Sequence, residues 1–123
     1  MNTSENMKAI KAFIDTPDKW TKNACARDEN GSAAKDPFCL SSTELRQYKS
    51  FCLQGAIMAM VEDESEQLNA IFHVQDTIQF IHEDGYIPIT LFNDADETTH
   101  ETIMALMDAA ILRAETQEAE KIS

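Results

Sequence analysis

Between Phe51 and Val61 the chain reads FCLQGAIMAMV, a run with almost no polar side chain. Taken as a helix, it has no face to turn toward water and must be covered on every side. A chain of 123 residues that contains such a helix has to wrap its other elements around it, and that length suits one domain. Its 43% hydrophobic content supplies enough apolar surface for a core. Gly55 sits inside this run and costs about 1 kcal/mol against alanine in a helix. It is worth keeping where a neighbouring backbone passes close, with Ala56 and Ala59 beside it on the same surface.

The remaining elements follow from periodicity and capping. Ser4 to Asp15 reads as a first helix, capped by Ser4, with Met7, Ile10, Phe13 and Ile14 on one face. Thr16-Pro17 ends it, because a residue before proline resists helical geometry. From Trp20 onward, imperfect alternation and the Asn30-Gly31 pair predict a small hairpin or ordered loop. Ser41 and Glu44 form a capping box that opens one long helix running through the buried segment to Glu62. A further helix spans 64–85, with Leu68, Ile71, Phe72, Val74, Ile78 and Ile81 as a broad apolar face and Gly85 as its stop. Tyr86 to Phe92 reads as a strand, placed at an edge or bend by Pro88. The last helix starts near Thr99, with Thr98 and Glu101 as a second capping box and Ile103, Leu106, Met107, Ala110 and Ile111 as its stripe. The expected fold is α+β: a small, mainly helical single domain over residues 1–115, with a buried central helix and a two- or three-stranded β element. Residues 116–123 are expected to be an acidic, frayed tail.

Charge is distributed unevenly. Residues 1–61 carry eight Lys/Arg against seven Asp/Glu, a net of +1, and residues 62–123 carry two against fifteen, a net of −13. Such a surface repels nucleic acid and anionic membrane and favours a basic protein surface, including one that itself holds nucleic acid. The same charge also serves solubility, which is the blander reading. No apolar run is long enough for a membrane span, and the opening MNTSENMKAIKAF has no secretory core. Cys25, Cys39 and Cys52 form an odd, widely spaced set without a C-x-x-C motif, so a reduced, cytoplasmic protein is expected. With His73, His82 and His100 they show no zinc-ligand spacing, and neither metal nor cofactor is expected.

One stretch invites two chemical readings and fails both. Asp94-Ala95-Asp96-Glu97-Thr98 after an apolar run matches the nucleophile loop of aspartate-based phosphatases, in which one carboxylate attacks phosphorus and another moves a proton. That chemistry needs a parallel sheet, a downstream lysine and a second acidic pair, and only 27 residues follow Asp96. As a calcium loop starting at Asp94, the segment puts Thr99 where glycine is required and Ala105 where a bidentate glutamate is required. The plain reading is an acidic helix entry with an Asn-Asp turn. Cys52, inside the apolar helix, reads as an inert core residue. No nucleophile is paired with a base by motif and no glycine-rich phosphate loop exists, so no catalytic residue is assigned. Arg27-Asp28 and Asn93-Asp94 remain as polar pairs that either flank a shared cleft or brace each other; bracing is favoured because turn chemistry alone asks for such residues.

At these residues the chain resembles a bacterial and phage family of unknown function. The matching motifs are Trp20, Ala26-Arg27-Asp28, Gly31, Phe51-Cys52-Leu53-Gln54-Gly55-Ala56, Phe92-Asn93-Asp94 (Phe92 standing in a position that also takes Trp), Thr98 or Thr99, and Leu106, Asp108 and Ala110-Ile111. The resemblance implies a small compact domain and no reaction. The expected function is therefore a non-catalytic cytoplasmic binding or regulatory protein. Its acidic second half would dock a basic protein surface, in the manner of a phage-type inhibitor of nucleic-acid-handling defence machinery. Arg27, Asp28, Asn93, Asp94, Asp96 and Glu97 are the candidate binding residues. The alternative is a small-molecule-binding domain or enzyme using Arg27, Asp28, Asn93 and Asp94.

Overall fold

The computed structural model describes residues 1–82 and 85–122. Its described elements are α1 (Thr3–Phe13), β1 (Ala26–Arg27), α2 (Ser42–Leu45), β2 (Ser50–Phe51), α3 (Leu53–Met60), α4 (Glu64–Ile81), α5 (Ile89–Asp94) and α6 (His100–Ile122), with 3-10 turns at Pro17–Lys19 and Pro37–Cys39. The domain is mainly helical, with one two-stranded antiparallel sheet. No described helix is long and apolar enough to cross a membrane.

The buried helix is α3, with Leu53, Ala56, Ile57, Met58 and Ala59 all buried. It packs against α1, α4 and α5, and α2 lies beside it. The continuous helix expected from Ser41 to Glu62 is instead three pieces. The Ser41–Glu44 capping box forms, but α2 is a single turn. The chain then lays Ser50–Phe51 against Ala26–Arg27 and restarts as α3 with Cys52 as its N-cap. The break is tertiary in origin. Lys49 N donates to Arg27 O (2.8 Å) and Cys52 N to Cys25 O (3.0 Å), so β1 captures amides that a continuous helix would use internally. Breaking there also lets α2 fold back, where Ser42 Oγ and Arg46 Nη1 donate to the Met58 and Ala59 carbonyls at the end of α3.

Several other boundaries differ from expectation. The cap of α1 is Asn2, in a capping box with Glu5, not Ser4. Ser4 is buried and its hydroxyl donates to Glu118 on α6 (2.6 Å), so residues 116–122, assigned by composition to a tail, continue α6 as helix. The hairpin turn runs Asp28–Ser32, with Gly31 N donating to Asp28 O and Asp28 N to Ser32 O. Gly31 alone adopts positive φ (+81°) there, which makes a type I turn with a glycine bulge and not a two-residue turn centred on Asn30-Gly31. α4 ends at Ile81 with His82 as C-cap, short of Gly85; Glu83 and Asp84, the end of the expected helix, lie outside the described residues.

The strand expected at Tyr86–Phe92 is a helix, α5. Pro88 starts it as N-cap, a role its fixed φ suits, and does not mark a sheet edge. Gln75 on α4 secures the entry, accepting from Ile89 N (2.9 Å) and donating to Ile87 O. Ile89, Phe92 and Asn93 point inward, a helical spacing hidden within an apolar run, while Leu91 points out. On α4 the buried line is Ala70, His73, Val74, Thr77 and Ile78; Leu68, Phe72 and Ile81 of the expected core face are exposed. On α6 the stripe Ile103, Leu106, Met107 and Ala110 is buried as read. The reciprocal cap at its start is Thr99 with Thr102, displacing the Thr98–Glu101 pair, and Thr98 Oγ1 donates instead to Phe92 O (2.7 Å).

Candidate functional site

Asn93, at the end of α5, is fully buried and has its amide fully engaged. Its Oδ1 accepts from Trp20 Nε1 (2.7 Å) and from Leu53 N at the start of α3 (3.0 Å). Its Nδ2 donates to Thr21 O and to Asp94 Oδ1, each at 3.0 Å. Asp94 Oδ1 also accepts from Asn23 N (2.9 Å), holding that residue at φ +63°. From the other side, Arg27 donates Nε to Thr21 Oγ1 (2.9 Å), Nη2 to Lys22 O (3.0 Å) and Nη1 to Gly31 O (2.9 Å). Lys22 Nζ donates to Ala95 O (2.6 Å).

Arg27, Asn93 and Asp94 therefore converge on one segment, Thr21–Asn23, and hold it from both sides. Asp28 does not join them: its Oδ1 accepts from Asn30 N and Ser32 N and shapes the hairpin turn. The arrangement is a brace and not a cleft, since the polar atoms of Arg27 and Asn93 are taken up by backbone and by the side chains of Trp20, Thr21 and Asp94. Trp20 and Leu53 stand in the family motifs, but no spacing links them to Asn93: the indole and the Leu53 amide become its partners only once α5 is folded and docked.

Beside this brace lies a cavity of about 270 Å³, lined by Cys25, Cys52, Gln54, Phe38, Thr90 and Asp94 among others. Of the four paired polar residues, Asp94 alone reaches it. Cys52 is buried as expected, but as the N-cap of α3 and not in mid-helix, and its Sγ accepts from Gly55 N (3.3 Å). Its thiol is held below the usual cysteine value by the Cys25 thiol first and by the Gly55 and Gln54 amides, against burial and the nearby Asp94 charge. The Cys25 thiol is pushed far up by donating to Cys52 and by burial. Gly55 is the close-approach glycine expected from sequence: a Cβ there would stand 2.0 Å from the Cys25 carbonyl oxygen.

The second-half acidity is partly neutralised by first-half cations: Lys8 pairs with Glu115 (3.0 Å), Lys11 with Asp108, and Arg46 with Glu62 (3.1 Å). Asp96, Glu97 and Glu101, around the α5–α6 junction, are exposed, and no ion pair reaches them among the described residues. Beside them Leu91 is 63% exposed. A shallow cavity of about 180 Å³ joins Leu91, Phe92, Ala95, Glu97, Thr98 and Thr102. His73 and His100 are used structurally, bonding the Ala110 and Ile14 carbonyls. Among the described residues no group of three His, Cys, Asp or Glu side chains is placed to hold a metal ion.

The chain belongs to a family of unknown function, DUF6197, which it matches over residues 1–113. No curated protein and no solved structure matches it.

Proposed function

From membership of a family that fixes no reaction, we propose that the protein is a non-catalytic cytoplasmic binding protein that docks a basic protein surface through the α5–α6 junction. The observation that carries this reading is the exposed trio Asp96, Glu97 and Glu101 gathered at one junction, with no ion pair to any of them among the described residues, whereas Glu62, Asp108 and Glu115 are paired to first-half cations. Leu91 and the adjoining shallow cavity give the acidic ridge an apolar neighbour, a combination suited to a partner with cations around an apolar side chain. A protein that ordinarily grips phosphates offers such a surface, and a carboxylate ridge can occupy it in place of nucleic acid. Inhibition of nucleic-acid-handling machinery is the role that fits.

The test is capture from host lysate after nuclease treatment, comparing the native chain, Asp96→Lys/Glu97→Lys/Glu101→Lys, and Glu64→Lys as a control on another surface. The expected result is a partner held by the native chain and by the control, released by moderate salt, and lost by the triple reversal. Equal retention by all three baits, or capture that requires intact nucleic acid, refutes the reading. A second reading, small-molecule binding, is favoured by the cavity that Asp94 shares with Cys25 and Cys52. It predicts that Asp94→Asn and Gln54→Ala alter ligand-induced melting shifts while leaving capture unchanged.

A further inference from the structure

The Ala26↔Phe51 and Arg27↔Ser50 register continues to Cys25 opposite Cys52, where Cys52 N donates to Cys25 O (3.0 Å). Residues directly opposite in an antiparallel ladder have Cα atoms about 4.5–5.5 Å apart, and their side chains share a face. Disulfides need Cα atoms about 4.4–6.8 Å apart, a range that includes this ladder spacing. Both sulfurs lie against Gly55: Cys52 Sγ is 3.3 Å from its nitrogen, and Cys25 Sγ is 3.1 Å from where its Cβ would be. Both cysteines line the same open cavity, at whose edge Phe38 is 72% exposed.

We propose that Cys25 and Cys52 form a thiol–disulfide exchange site, in which Cys52 attacks a small-molecule disulfide entering this cavity and Cys25 resolves the product. The division of labour follows from position. Cys52 caps a helix N-terminus, whose amides stabilise a thiolate, and it accepts a hydrogen bond from the Cys25 S–H, so it is the nucleophile. Cys25 retains its proton until the first step is complete. The Cys52 proton passes to solvent, and the thiolate attacks one sulfur of the small disulfide. That S–S bond breaks, and the leaving thiolate is protonated. Cys25 then loses its proton to solvent and attacks Cys52 Sγ, forming the Cys25–Cys52 bond and expelling the second small thiol. Two protein thiols are oxidised and one small disulfide is reduced to two thiols. In a reducing compartment such a bond is transient, which suits a sensor of disulfide stress more than a permanent staple.

The probe is glutathione disulfide, applied to a Cys39→Ser background so that the exposed Cys39 does not contribute. Readouts are intact mass and peptide mapping without reduction. The expected result is loss of two hydrogens with a Cys25–Cys52 linked peptide, reversed by dithiothreitol. Cys25→Ser should stall with one glutathione on Cys52, and Cys52→Ser should react at least tenfold more slowly. Two outcomes overturn the proposal: both thiols still open to alkylation in folded protein after prolonged exposure, or glutathione stalled on Cys25 in the Cys39→Ser background. The mapping on that background decides the matter even if a Cys25 or Cys52 variant fails to fold.

Discussion

Replacing Asn93 by alanine tests the brace directly. The substitution removes the acceptor for Leu53 N and Trp20 Nε1 and the donor to Thr21 O, all in one step. Leu53 is fully buried, so its amide finds no water; Trp20 is half-buried and recovers part of its loss; Asp94 is partly exposed and rehydrates. Leaving a buried polar group unpaired costs about 1–3 kcal/mol, and two such groups with partial recovery at the third give about 3–5 kcal/mol. Domains of this size have about 5–15 kcal/mol in total, so the variant should lose between about a fifth and the whole of its stability. The assay is urea unfolding followed by circular dichroism and by the fluorescence of Trp20, the chain's one tryptophan. With a slope of about 1–3 kcal/mol per molar, the midpoint should fall by about 2 M. A double-mutant cycle with Trp20→Phe isolates the indole bond and should show coupling of about 1 kcal/mol. A loss below about 1 kcal/mol for Asn93→Ala would refute the argument, since it would mean that these amides reach solvent or other partners.

Further expectations are narrower. Gly55→Ala sets a methyl 2.0 Å from a carbonyl already engaged in the ladder, so it should cost about 3 kcal/mol or more by thermal unfolding. Gly31→Ala meets nothing within 4 Å and should cost about 1–2 kcal/mol, for its positive φ alone. If the exchange site operates, the oxidised protein should melt higher than the reduced one, by up to about 3–4 kcal/mol for a loop of this length. Glu118 is held below its ordinary value of 4.5 by the Ser4 hydroxyl and then the Ser4 amide. A depressed folded pKa contributes stability above the unfolded value that is lost as pH falls through the folded one. Glu118→Gln should therefore flatten the acid side of a stability–pH curve while leaving its slope near neutrality unchanged.

Local chemistry made some of this architecture readable in advance. The Ser41–Glu44 box, the α6 stripe and the all-round burial of α3 are set by residues within a turn or two of one another, and they appear where periodicity puts them. The break before α3 is not of that kind. Its determinants are the Arg27 and Cys25 carbonyls and the Asn93 amide, which meet residues 49–53 only in the folded chain. The strand misread at Tyr86–Phe92 has a similar origin. Within six apolar residues, period 2 and period 3.6 are hard to separate, and the deciding clamp is Gln75 on another helix. The polar pairs were visible as turn-formers, but their shared target, Thr21–Asn23, was not, because none of those residues carries a motif. Cys52 is buried as its apolar surroundings imply, but the same helix break moves it from mid-helix to the cap of α3, facing a second thiol.

The bond between Ser4 and Glu118 joins positions 114 apart in sequence and brings the first turn of α1 onto the last turns of α6. Fraying of either end thus costs the other a hydrogen-bond partner. In hydrogen exchange the Ser4 amide, which donates to Glu118, should be slower than a first-turn amide normally is, and removing the last turns of α6 should release it.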